Sequence, residues 1–274
     1  MTRTPHRRIA RFGWRPDAPD ARDHLYAVSS ATLRKLPQSA DLRPRFKFAV
    51  YVQGEIGSCT ANAIAAAIQF DRAQARQKPA FTPSRLFIYF NERAMEGSVE
   101  YDAGAQIRDG IKSVAKQGAC NEKAWPYDDT PAKYDGGPWP AGAKPARKPS
   151  PACYAQAKDF QVVRYQRLTQ TLAQLRGCLA EGYPFVFGFS VYDSLYDAAG
   201  KPRSDLPLPN LAKDKLVGGH AVLAMGYDDA RQCFIIRNSW GAKVQDQGHF
   251  RMPYSYITDS SLADDFWVIR AVER

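Results

Sequence analysis

QGEIGSCTANAIAAAIQF, Gln53 to Phe70, sets one cysteine between a glycine- and serine-containing turn and an alanine-rich apolar run. Ile64, Ala67 and Ile68 follow the i, i+3, i+4 spacing of a helix, with Ala61 and Ala65 alongside, so the stretch predicts a turn that continues as a buried helix to about Gln77. Cys59 then stands at the helix mouth. Unpaired N–H groups and about half a positive charge gather there, which favours the thiolate, the nucleophilic form of cysteine. Gly57 and Ser58 let the backbone turn tightly into the helix. A nucleophile also needs a base.

Four histidines are available: His6, His24, His220 and His249. The first two lie in the N-terminal tail, and His249 sits in a run that reads as a β-hairpin arm. His220 opens the apolar strand of VGGHAVLAMGYDD, where Gly218 and Gly219 leave room around its ring. Asn238 of RNSWG follows eighteen residues later, at the end of the next strand. A hairpin across DDARQ would aim both side chains at one point, where an amide oxygen can hold an imidazole in place.

The chain has 274 residues, room for one large domain or two small packed ones. It is 45% hydrophobic and 24% charged, an ordinary globular composition. No apolar run approaches the ~20 residues of a membrane span. The basic start MTRTPHRRIARFGW lacks the apolar core of a Sec-type signal. The five cysteines form no CxxC pair, which argues against zinc and against a disulfide framework. Of the net charge of +10, +7 falls within residues 1–50. Such an end can bind an anionic ligand, or simply be solvated.

Helices are also predicted over 83–95, with Pro83 in the first turn, over 106–116 and over 169–181. Residues 128–151 are rich in Pro and Gly and read as a long loop. Short β-rich runs follow at 184–192, 220–227, 233–240, 249–257 and 265–272. A helical first half (roughly 50–135) and a β-rich second half (roughly 150–272) predict an α+β protein of two lobes, with a site between them.

Together, Q-G-x-x-G-S-C opening a helix, G-H-A-V on a strand and then N-S-W-G resemble the papain-like cysteine peptidases. The order Cys, His, Asn agrees, and Gln53 stands six residues before Cys59. Asp41–Leu42–Arg43 resembles the start of that family's mature domain. Gly104–Ala105 resembles its Gly–Gly substrate strand, and GACNEKAWPYDD the end of its helical lobe. The resemblance covers roughly 39–272 and implies a papain-like fold, a helical lobe and a β-barrel-like lobe with the cleft between them. It implies Cys59 as nucleophile, His220 as base, Asn238 as its orienter, and Gln53 with the Cys59 N–H as oxyanion donors. Trp240 would cover the Asn238–His220 pair. Neither metal nor organic cofactor is called for. Thr60 replaces an aromatic residue, Ile56 a disulfide cysteine and Val244 a second tryptophan. The Thr60 variant and GWRPDAPDARDHLY are similar to a bacterial, xylellain-like branch, and the missing disulfide fits a reduced compartment, cytoplasmic or reached without a Sec-type signal.

The resemblance implies that substrates are peptides or proteins. It places Gln106 and Ile107 on one wall of the main specificity pocket, and Gly188 and Gly218 on the others, with Gly219 beside them; a roomy apolar pocket follows. Residues 1–38 then form an extension before a catalytic domain of 39–274. With Phe12, Trp14, Leu25 and Tyr26 as apolar anchors, the extension is expected to lie along the cleft and inhibit. Other Cys–His acyl-transfer enzymes, of the transglutaminase or cell-wall amidase type, leave Gln53 without a role. A non-catalytic anion-binding protein would use the basic end alone.

Overall fold

The structure, a computed structural model, describes residues 12–272. In chain order these hold β1 (Leu25–Tyr26), α1 (Ser30–Arg34), β2 (Ser39–Asp41), α2 (Cys59–Gln74), α3 (Arg85–Met95), α4 (Ile107–Gln117), α5 (Pro151–Ala157), β3 (Val162–Leu168), α6 (Leu172–Ala180), β4 (Phe185–Tyr192), β5 (Leu216–Asp228), β6 (Cys233–Arg237), β7 (His249–Pro253), α7 (Tyr254–Ile257) and β8 (Ala263–Val272).

The Gln53–Gln77 stretch turns first and becomes helical at Cys59. Every residue of α2 from Cys59 to Arg72 is buried, the signature of a helix packed on all sides. It lies between α3 and α4 on one flank and β5 and β8 on the other. Ile107, Ile111 and Val114, at i, i+4, i+7, form the buried stripe of α4. Pro83 does not open α3, because the Ser84 hydroxyl accepts from the Phe87 N–H and caps the helix one residue later.

The strands form one sheet in the order β1-β3-β8-β4-β5-β6-β7, with β2 also paired to β5. Strand β5 pairs antiparallel with β4 and β6, and its hairpin with β6 turns across the DDARQ residues. Several expectations need correction. His220 lies inside β5 rather than opening it. The 249–257 run is a strand only to Pro253, after which a helical turn follows. The Pro/Gly-rich stretch ends in a helix that Ser150 caps, with Pro151 at its first position. Within the tail, β1 joins the sheet parallel to β3, and α1 packs against α6. Tyr26 and Val28 are buried there, whereas Leu25 is 63% exposed and anchors nothing. Among the described residues, no helix is long and apolar enough to cross a membrane, and no cluster of ligating side chains could hold a metal.

Candidate active site

Cys59 begins α2, and both its side chain and that of His220 are fully buried. The antiparallel register of β5 and β6 brings His220 Nε2 to 2.9 Å from Asn238 Oδ1. The Trp240 ring stacks on the imidazole, centroids 5.1 Å apart. Asn238 Oδ1 also accepts from the Ser239 N–H at 2.8 Å, while its Nδ2 donates to Gln245 Oε1 at 2.8 Å. These partners fix the amide with its oxygen toward the histidine. Nε2 then carries the ring proton and Nδ1 is the basic nitrogen, which has no hydrogen-bond partner among the described residues.

Burial brings the His220 pKa down to about 4, against the bond to Asn238. Burial likewise pushes the Cys59 thiol up to about 11, against the N–H groups of Ala221, Gly13 and Thr60. Ala221 follows His220 on β5, so the thiol sits beside the histidine's strand. In this state burial therefore opposes the bias toward thiolate expected of a cysteine at a helix terminus. The Gln53 N–H donates to the Ser239 carbonyl at 2.8 Å, and its Oε1 accepts from Ser239 Oγ at 2.6 Å. Its Nε2 donates to the Ile56 carbonyl at 3.1 Å.

The chain's own N-terminal segment lies over the site. Ala105 N–H donates to the Gly13 carbonyl at 2.8 Å, and Arg15 N–H to the Ala105 carbonyl at 3.1 Å, a one-residue parallel bridge. On the opposite wall, Trp14 N–H donates to the Gly219 carbonyl at 2.9 Å. Phe12 presents its ring to His220, edge-on at 5.8 Å, and lies against Gly218. The indole of Trp14 fills the space beside Gly188: a Cβ there would fall 1.9 Å from the ring. Gly104 has φ +65°, and a Cβ on it would meet the Gly13 carbonyl at 1.9 Å. Gly104, Ala105, Gly188, Gly218 and Gly219 thus line one cleft. Gln106 Nε2 donates to the Pro16 carbonyl at 3.4 Å, on the same N-terminal segment. Ile107 is fully buried in the core as the first residue of α4.

Several contributors escaped the sequence reading. Tyr89 and Gly57 both bond Asp102 Oδ1, which steadies the turn before Cys59. Thr60, in place of an aromatic residue, donates at 2.6 Å to Glu92, whose pKa burial pushes up to about 8. Asp265 receives the Trp14 Nε1–H at 2.9 Å. Of these, Thr60 alone carries a signal in the sequence, as the residue that stands where the resemblance expects an aromatic one.

The sequence profile described as "Papain family cysteine protease" matches residues 36–266. The chain belongs to the papain family of cysteine proteases. An uncharacterised peptidase C1-like protein of Acanthamoeba polyphaga mimivirus is 36% identical, over 95% of this chain and 87% of the other. The crystal structure of xylellain, a cysteine protease from Xylella fastidiosa, is similar at 51% identity and a TM-score of 0.92, covering 99% of this chain and 100% of that one. At 16% identity, procathepsin B from Trypanosoma congolense shares the fold, with a TM-score of 0.67 over 88% of this chain and 80% of that one. This papain-family chain is a hydrolase of peptide bonds with the family's two-lobed α+β fold, and peptides or proteins are its substrates.

Proposed function

We propose that Cys59, His220 and Asn238 are the catalytic triad of this endopeptidase and that the N-terminal segment restrains it. One observation carries the triad: Asn238 occupies Nε2 of His220 and leaves Nδ1 as the free base in a buried site beside Cys59. In the open cleft Nδ1 takes the thiol proton while Sγ attacks a peptide carbonyl. The carbonyl π electrons move to oxygen. The Cys59 N–H and the Gln53 amide stabilise that oxyanion, at about 3 kcal/mol per donor. Collapse expels the amine, which takes the proton from Nδ1, and leaves a thioester. Water then attacks the thioester, passes a proton through His220 to the sulfur and releases the acid. Five free, buried thiols suit a reducing compartment.

The restraint is supported by the backbone bonds of Gly13, Trp14 and Arg15 to both cleft walls. A peptide cannot pair with Ala105 and Gly219 until these are released. The catalytic domain of 39–274 and an inhibitory extension of 1–38 belong to the same reading. An anionic partner at the basic end would compete for arginines already in ion pairs, such as Arg15 with Glu96 and Arg22 with Asp20. Arg3, Arg7, Arg8 and Arg11 lie outside the described residues.

An epoxysuccinyl thiol inhibitor followed by mass spectrometry tests the nucleophile. Label is expected on Cys59, and Cys59→Ala should abolish hydrolysis with the fold intact. Label elsewhere, or an active Cys59→Ala variant, would remove the triad.

A further inference from the structure

Asp265 is a buried charge at a break in a strand. It lies in β8, in the sheet, yet its φ is +59°, the left-handed region that a residue inside a strand seldom adopts and that Asp tolerates better than most non-glycine residues. Its side chain is fully buried. The pairing of β8 with β4 slips here: Val186 faces Trp267, but Gly188 faces Asp264. Such bulges re-aim a side chain.

The carboxylate is turned toward the cleft. Oδ1 accepts from Arg167 at 3.1 Å. Oδ2 accepts from Trp14 Nε1 at 2.9 Å and from the Asp17 N–H at 3.0 Å. One donor on Oδ2, the indole, belongs to the tip in the cleft, and the other belongs to Asp17 at its root. When a substrate displaces residues 12–15, Oδ2 keeps the Asp17 N–H but loses the indole donor and faces the emptied Trp14 pocket. A buried carboxylate oxygen that loses a donor is left under-satisfied, so the incoming side chain is selected for one.

We infer that Asp265 is the specificity-determining residue of this pocket and that it favours large aromatic side chains carrying a donor, tryptophan foremost, over non-donor side chains of equal shape. The inference rests on the reading of the cleft as the peptide site. The indole already fits between Gly188 and the floor. Arginine is not the preferred guest, because Arg167 holds the other oxygen of Asp265 and also pairs with Asp264. The pocket thus offers one directed acceptor rather than a free negative charge. The roomy apolar pocket expected from the glycines has a polar floor that the glycines do not reveal.

The test compares peptides with tryptophan, its isostere 3-benzothienylalanine, phenylalanine, leucine or arginine two residues before the cut, on the full chain. Ratios of kcat/KM cancel the work of displacing the segment, which is common to all. Tryptophan is expected to exceed benzothienylalanine by about tenfold or more, the loss typical of an unmatched polar partner. Asp265→Gly, which accepts the positive φ, should bring that ratio near one, while Asp265→Asn should keep part of it. Equal cleavage of the two isosteres by the wild type, or a preference for arginine over tryptophan, would overturn the inference even if neither variant folds. Hydrolysis of no peptide, with Cys59 unlabelled by the inhibitor, would instead remove the triad, and the pocket assignment with it.

Discussion

Residues 12–15 and residues 25–34 belong to one N-terminal segment but are held in different ways. The first four lie in the cleft through three backbone bonds and two aromatic rings, against walls that water or a peptide can equally occupy. The second group is part of the fold: β1 extends the sheet, Tyr26 is buried beside Tyr183 and reaches Glu181, and Val28 packs on Gly177. Between them, Asp17 and Asp23 engage Arg108 of α4, and Asp17 also engages Arg167 of β3 at 2.8 Å. Both arginines lie by the Trp267 ring. The segment therefore has a rooted base, an ionic clasp and a displaceable tip. On the proposed reading, a tip on a rooted base reopens and closes without being cut.

The largest effect expected is on the base. Tyr26→Ala removes a buried aromatic ring and should cost about 3–4 kcal/mol of stability, read as a fall in the denaturation midpoint. A loss below about 1 kcal/mol would make the base as dispensable as the tip. It also follows that truncation near Leu36 is a poor test of inhibition, since it deletes Tyr26 and Val28 together with the tip.

The next effect sharpens the comparison through pH. With the tip in place His220 is held neutral, its pKa lowered from 6.5 to about 4. Displaced, the ring regains water and its ordinary affinity for a proton. The closed state is thus fully favoured above about pH 6.5 and loses that advantage as pH falls toward 4, by roughly 3 kcal/mol at the limit. Hydrogen exchange at the Trp14 and Arg15 amides, corrected for intrinsic rates, should show protection falling across that window in a Cys59→Ala chain. The amides of β1 should stay protected. Flat protection at Trp14 from pH 7 to 4 would mean that the tip does not respond to the histidine it covers.

A smaller effect tests the tip alone. Phe12→Ala removes the ring that faces His220 and Trp240. It should raise kcat/KM on a small peptide about tenfold and speed Cys59 alkylation by a similar factor, with little change in stability. An unchanged rate would leave the tip as an ordinary surface strand.

The parts of this site legible in the sequence are those whose chemistry is local. Cys59 at a helix mouth and His220 beside two glycines, with Asn238 one hairpin away, are candidates that local spacing brings out, and the family resemblance adds Gln53 six residues before Cys59. The upward push of burial on the Cys59 thiol is not legible in this way, because it arises in a cleft that residues 12–15, far upstream in the chain, occupy. Asp265 was hidden for the same reason, since its orientation comes from a register slip between β8 and β4 that no run of residues announces. Helix α5 lies inside a stretch whose Pro and Gly content reads as loop, although Ser150 and Pro151 carry the cap and first-position signals of a helix start. The strand over 162–168 reads VVRYQRL, with charged and polar residues outside a simple alternation, and is stabilised by β1 and β8 on either side.

The smallest effect concerns a residue that sits beside a departure already visible in the sequence. Val244 replaces the family's second tryptophan, and the next residue, Gln245, takes a positive φ of 57°. That conformation aims its Oε1 at Asn238 Nδ2, 2.8 Å away, while its own Nε2 donates to the Arg203 carbonyl at 2.9 Å. Gln245 touches neither Cys59 nor His220; it acts by holding the Asn238 amide the right way round. The Ser239 N–H enforces the same orientation from the other side, so losing Gln245 leaves one restraint of two. Gln245→Ala should lower kcat about three- to tenfold, the worth of one neutral hydrogen bond of about 1 kcal/mol, and leave KM unchanged. Gln245→Glu keeps the acceptor and should recover most of the rate, which a merely structural role in the loop would not produce. If alanine and glutamate are equally impaired, or KM rises in both, Gln245 shapes the loop and Ser239 alone orients the asparagine.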